Sequence, residues 1–204
     1  MQSPCGEPEN EVRNAILDAA DRLFEQFGYR KTTVEEIALE AKIGKGSVYL
    51  HFSSKEDLGL SWLKRLHKHI LSDMRAIADD ADERPSDKLQ TLLLKRILLR
   101  FDVFTRHRRS MDEAMVTLKE AVHEKREAFH CEEAKLLASV IRQGIAQGDF
   151  KDDEPDVSAE SMVIATNSLL PYSLKPTQLG NRDCVESRAK SLAKLLARAI
   201  SIEK

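Results

Sequence analysis

Residues 33–52 read TVEEIALEAKIGKGSVYLHF, and this stretch decides the fold. Val34, Ile37, Ala38 and Ala41 recur at spacings of three and four, the period of one helix face. Thr33 stands three residues before Glu36 in the pattern of a capping box, so a helix opens at Val34. Lys42-Ile43-Gly44 is a short turn containing glycine, and a further helical segment runs from Lys45 to Phe52. Toward the N-terminus, Val12, Ile16, Ala19, Ala20, Leu23, Phe24 and Phe27 form the apolar face of an amphipathic helix, which Gly28 ends. Toward the C-terminus, Ser53-Ser54-Lys55-Glu56 reads as a second capping box opening a fourth helix. Three short helices around one tight turn are the signature of a helix-turn-helix unit.

The wheel of the third helix sorts its side chains. Val48 and Phe52 lie four apart and face the core, so the opposite side carries Gly46, Ser47 and Leu50. In the groove of a duplex, Gly46 permits close backbone approach, Ser47 offers a hydrogen bond to a base edge or phosphate, and Leu50 suits a thymine methyl. Tyr49 and His51 flank this stripe, within reach of phosphates on either side. The whole chain, with net charge -2 and a pI near 6.3, exerts no global pull on nucleic acid. Locally the balance differs, because Lys42 through Lys55 hold three lysines and one histidine and no acidic residue. A cation at a helix N-terminus opposes the macrodipole, which assigns Lys55 to a phosphate rather than to a structural role. Thr33 tops a helix whose free N–H groups also suit phosphate.

Composition agrees with helices throughout: of 204 residues, 42% are hydrophobic and 32% charged, with eight glycines and six prolines. The longest apolar stretches, Leu92–Leu94 and Ile97–Leu99, are interrupted by Lys95, Arg96 and Arg100, far short of the roughly 18 residues of a membrane span. Residues 1–10 are polar and acidic, unlike a signal peptide, so a cytoplasmic protein without membrane contact is expected. Cys5, Cys131 and Cys184 are widely separated and read as free thiols. Beyond the fourth helix, which continues over 58–74, further helices are expected over 87–106, 110–118, 123–147, 155–170 and 181–200. Breaks fall at 79–87, 148–150 and 176–180. The expected architecture is all-α: a three-helix DNA reader over residues 9–56, then a helical bundle for ligand sensing and dimerisation over residues 57–204.

Trp62, Leu66, Phe101, Phe104, Met111, Met115, Phe129 and Tyr172 are the apolar and aromatic groups suited to lining a small-molecule pocket in the body. An alternative reading takes Glu120, His123, Glu127 and His130 as metal ligands, since Glu-x-x-His occurs twice, as in di-iron bundles. Di-iron sites draw that motif from two different helices, whereas both copies here share one stretch. No glycine loop cradles phosphate and no nucleophile accompanies an ordered histidine and acid, so neither an enzyme nor a cofactor is expected.

The run from Gly28 to Ala38, then Ala41, then Lys45-Gly46-Ser47-Val48-Tyr49-Leu50-His51-Phe52 and Lys55-Glu56-Asp57-Leu58, closely resembles the DNA-binding domain of the tetracycline-repressor (TetR) family. The resemblance covers about Val12 to Leu60. The family has glycine where this chain has Lys42, and usually serine where it has Gly44, so the turn keeps its length and differs in chemistry. The resemblance implies DNA contacts from Thr33, Lys45, Ser47, Tyr49, His51 and Lys55. It also implies a homodimer through the C-terminal helices. Two apolar stripes there, Val185, Ala189, Leu192, Leu196, Ile200 and Ala159, Val163, Thr166, Leu170, read from sequence as either core or interface, and the resemblance selects interface. Such a dimer would set two recognition helices on a palindromic double-stranded DNA operator with half-sites about 34 Å apart or a multiple of it. Repression under the control of an unidentified small-molecule effector follows as the family's commoner mode.

Overall fold

The apolar periods become helices almost residue for residue in a computed structural model, which describes residues 8–170 and 180–202. Nine helices occur among the described residues: α1 (Pro8–Phe27), α2 (Val34–Glu40), α3 (Lys45–His51), α4 (Lys55–Ala78), α5 (Pro85–Arg106), α6 (Arg108–Thr117), α7 (Lys119–Ala146), α8 (Pro155–Asn167) and α9 (Arg182–Ile200). Among those residues no strand forms, and Phe150 and Ser201 make an isolated antiparallel bridge. No described helix is long and apolar enough to cross a membrane. The cap of α4 sits one residue later than the Ser53–Glu56 reading. Ser54 Oγ accepts from the Asp57 N–H at 3.2 Å, while Asp57 Oδ2 accepts from the Ser53 N–H at 2.9 Å. Pro85 opens α5 two residues before the expected start, because its fixed φ and missing N–H suit a first helical turn.

The described residues fall into two compact units, one up to Leu66 together with Thr105–His123, the other His67–Phe104 together with those from Glu124 on. In the first unit Phe24 is fully buried and meets Tyr29 and Trp62 edge-on, at centroid distances of 5.3 and 5.0 Å. The Trp62 indole N–H donates to Asp21 Oδ1 at 2.7 Å, which satisfies the polar handle of a buried ring. Gly28 ends α1 at φ +92°, a left-handed conformation that calls for glycine. Its carbonyl accepts from the buried Thr32 hydroxyl at 2.8 Å, which closes the corner leading to α2.

The second unit packs Met74, Leu89, Leu92, Leu93, Leu137, Val140, Ile141, Phe150 and Val163 into one core. Phe150 lies flush on the backbone of α7 at Gly144, where a Cβ would overlap its ring. At the centre of this unit stands a charged residue that the sequence reading treated as an interruption of an apolar stretch. Arg96 is fully buried: its Nε donates to Glu133 Oε2, Nη1 to Thr166 Oγ1 and Nη2 to Asn167 Oδ1, each at 2.7 Å. Glu133, equally buried, also pairs with Arg100. His67 stacks on Phe129 at 3.9 Å beside this network. Burial and the nearby guanidinium groups of Arg100 and Arg96 push its pKa down to about 3.

The stripes assigned to dimerisation are corrected. Val185, Ala189 and Ile200, and Ala159, Val163, Thr166 and Leu170, are all buried inside their own unit, whereas Leu192 and Leu196 of the first stripe are half-buried. Ala189, Ala193 and Ala197, small residues one turn apart, let α9 approach its neighbours closely, and that face is consumed within the chain. The large apolar residues that α8 and α9 leave exposed are Val157, Ile164 and Leu195.

Candidate nucleic-acid interface

The first unit holds α2, its turn and α3. Thr33 caps α2 in both directions: its Oγ1 accepts from the Glu36 N–H at 3.2 Å, and Glu36 Oε2 accepts from the Thr33 N–H at 2.7 Å. The Thr33 N–H first, and then the Thr33 hydroxyl, which donates to the same Glu36 Oε2 at 2.9 Å, hold the Glu36 carboxyl below its usual range. At the other end of α2 the Ile43 N–H bonds Ala38 O and the Lys42 N–H bonds Leu39 O, both at 3.0 Å, the pattern of a Schellman stop. Its left-handed residue is Lys42, at φ +59°. A side chain in that conformation costs about 1–2 kcal/mol, which explains why glycine is the common solution there. Lys42→Gly is therefore expected to stabilise the chain by about 1 kcal/mol, less the extra backbone entropy that glycine loses on folding. Urea unfolding of both forms measures it, and a less stable variant would show that Lys42 is compensated.

Gly44 precedes α3 in an extended conformation and supplies no side-chain cap. Along α3, Val48 is 1% exposed and Leu50 85% exposed, so the wheel has the predicted orientation. Phe52, also buried, is the extended residue that ends α3, and the Arg13 guanidinium lies 4.6 Å above its ring. Gly46 is exposed, and a Cβ on it would meet nothing within 4 Å. Tyr49 is exposed, while Ser47 and His51 are half-buried.

The charge pattern differs from the linear reading. Lys45 forms an ion pair with Glu35 of α2, a partner outside the 42–55 window. Their hydrogen bond lowers the pKa of Glu35 and raises that of Lys45, so both stay charged. Lys55 has a structural role that its helix position alone did not reveal. Its Nζ donates to Arg30 O at 3.1 Å and lies 4.8 Å above the Tyr29 ring, and burial pulls its pKa down. Tyr29, whose hydroxyl donates to Lys55 O at 3.4 Å, is pushed up to about 12 by burial and by Glu56. The partners come from the corner at Gly28, more than twenty residues away in sequence, and the helix dipole is offset by a carbonyl and a π face. Tyr29 and Arg30 are thus supports of the site that sequence reading missed, and Gly28 was the available signal that a tight corner stood there.

Of the proposed pocket residues, Trp62 and Met111 are buried and Leu66 and Met115 half-buried in the first unit, whereas Phe101, Phe104 and Phe129 are half-buried in the second. Trp62, fully enclosed and bonded to Asp21, is a core residue of the first unit. Tyr172 and Cys5 lie outside the described residues, and Cys131 and Cys184 are exposed free thiols. The metal reading gains no support. Glu120, His123 and Glu127 are exposed, and burial pushes His130 down to about 4. Residues 120 and 130 of one helix stand about 15 Å apart along its axis, too far to share an ion.

Residues 16–60 match the family described as bacterial regulatory proteins, tetR family. The HTH-type transcriptional repressor KstR2 of Mycobacterium tuberculosis is 30% identical over 148 residues, which cover 71% of this chain and 72% of that protein. The chain belongs to the tetR family. YuxN of Bacillus subtilis, an uncharacterized HTH-type transcriptional regulator, is 29% identical to this tetR-family chain over 200 residues. That match covers 90% of the chain, which spans 64% of YuxN's length. SmeT, described as the repressor of a Stenotrophomonas maltophilia multidrug efflux pump, shares the fold in its triclosan complex. That structure superposes with a TM-score of 0.67 at 21% identity, over 95% of this chain and 93% of SmeT.

Proposed function

We propose that this tetR-family chain is a cytoplasmic repressor that binds a palindromic double-stranded DNA operator as a homodimer and is released by a small apolar or aromatic effector. The observation that carries this reading is the face of α3 opposite Val48 and Phe52, where Gly46, Tyr49 and Leu50 are exposed. Residues 9–56 would read DNA. Gly46, Ser47 and Leu50 take the base edges, and Thr33, Lys45, Tyr49, His51 and Lys55 take the backbone. Residues 57–204 would sense and dimerise. Exposed Val157 and Ile164 on α8 and Leu195 on α9 support a pairing surface at the C-terminal helices, a site distinct from the stripes buried in the core. Phe101, Phe104 and Phe129 supply apolar surface in the second unit for an effector. Differential affinity of that effector for one body geometry would shift the dimer away from its operator. KstR2, named a repressor, and SmeT, a repressor solved with triclosan, support repression and small-molecule control.

The full chain, presented with a random duplex library, is expected to select a palindrome and to bind it far more tightly than random DNA by fluorescence anisotropy. Because phosphate contacts carry much of the affinity, binding should weaken roughly a thousandfold or more between 50 and 200 mM salt if about six contacts form. Equal affinity for the selected and the random duplex would refute the assignment.

A further inference from the structure

We propose that Lys42 is a further DNA contact, taking a backbone phosphate at the edge of the groove that α3 enters. The inference rests on the DNA-binding reading of α3 and adds a residue to it. The backbone is the first observation. Among the described residues Lys42 is the non-glycine residue at positive φ, +59°. Its N–H is tied to Leu39 O, and the next N–H, of Ile43, to Ala38 O, both at 3.0 Å, so the turn enforces the conformation. A strained side chain kept where glycine would serve points to a use for that side chain.

The second observation is the state of the charge. Lys42 is exposed, and among the described residues its ammonium has neither an ion pair nor a hydrogen bond. The acids of α2 are engaged elsewhere: Glu40 accepts from Arg22 Nε of α1 at 2.8 Å, Glu36 closes the Thr33 cap, and Glu35 pairs with Lys45. Lys55 donates to Arg30 O and lies over the Tyr29 ring. Of the three lysines from 42 to 55, Lys42 alone carries a charge that no described group takes up.

Position is the third. A recognition helix sets its N-terminal residues against base edges, so the turn before it passes the rim of the groove, where the phosphates run. Lys42 stands in that turn, just ahead of Gly44, the extended residue from which α3 starts. Its ammonium is a point charge on a flexible stem, suited to a phosphate rather than to bidentate reading of a base. Anchoring a rigid turn to a phosphate would fix the register of α3 on the duplex.

Fluorescence anisotropy of the full chain on the selected palindrome and on a random duplex, across about 50 to 200 mM salt, tests the contact with Lys42→Gly, Lys42→Asn and Lys42→Arg. Asparagine tolerates the left-handed conformation without the charge, and arginine keeps the charge. Each neutral variant should lose roughly tenfold in affinity per bound protomer at 50 mM salt and about threefold at 200 mM, and the slope of log affinity against log salt should fall by about 0.9 per protomer. The loss should be equal on the two duplexes, as a phosphate contact demands, and Lys42→Arg should restore it. Lys151→Gln, the same charge change at an exposed position of the second unit, leaves binding unchanged. Lys42→Gly is thus expected to be the more stable protein and the weaker binder. Unchanged affinity and salt slope in Lys42→Gly and Lys42→Asn would overturn the contact, and so would a loss confined to the palindrome. A wild type that binds both duplexes equally would refute the operator reading alone, since the Lys42 comparison is then decided on the random duplex; no binding to either would overturn both.

Discussion

Replacement of Glu133 by alanine is expected to be among the most damaging single changes in the second unit, costing about 3–5 kcal/mol of stability. Glu133 is fully buried and faces two guanidinium groups, Arg96 and Arg100, on its two carboxylate oxygens. The intact network is not itself a large net gain, because desolvating three charges offsets most of their attraction. Removing the carboxylate alone withdraws the attraction and leaves the desolvation cost of the cations. Arg96 would keep Thr166 and Asn167 as acceptors, but neither carries charge. For a chain of this length the loss corresponds to a fall in Tm of roughly 10 °C. Glu133→Gln, which preserves the acceptor and removes the charge, should fall between the two. A Glu133→Ala protein within 1 kcal/mol of wild type in urea unfolding would show that water reaches the network and that it is not a buried ion cluster.

The same network marks where sequence reading stops. Helix existence, type and most bounds were legible because apolar period, caps and breakers are local. Val48 facing in and Leu50 facing out follow from 100° per residue and nothing more. Arg96 was illegible for the opposite reason: its partners lie 37, 70 and 71 residues away, and a charge that interrupts an apolar run beside Lys95 reads as surface until they are known. The α9 stripe failed on a different degeneracy. Periodicity shows that a face is buried and cannot show whether its own chain or a second copy covers it. Lys42 was a departure from a glycine position, and only its φ of +59° revealed that the departure is strained. Lys45 and Lys55 were correctly seen as a local basic run, but Glu35 and the Arg30 carbonyl, which claim them in the free protein, enter from neighbouring elements.

Gly46→Glu is expected to abolish operator binding while leaving the free protein folded. Gly46 is the second residue of α3, exposed, with open space where a Cβ would stand, so the longer side chain meets no steric objection. A carboxylate in the first turn of a helix interacts favourably with the N-terminal end of the dipole, so the Tm should hold or rise slightly. On DNA the same carboxylate would enter a groove lined by phosphates and base acceptors, pressed there by the close approach that glycine allows. Like-charge juxtaposition costs several kcal/mol, and a hundredfold or greater loss of affinity for the selected palindrome is expected at moderate salt. Gly46→Gln separates charge from bulk: if bulk alone excludes the helix from the groove, both variants fail equally, whereas a charge effect leaves glutamine the better binder and shrinks as salt rises. Undiminished binding by Gly46→Glu would remove the N-terminal turn of α3 from the interface, and with it the docking geometry assigned to Ser47 and Leu50.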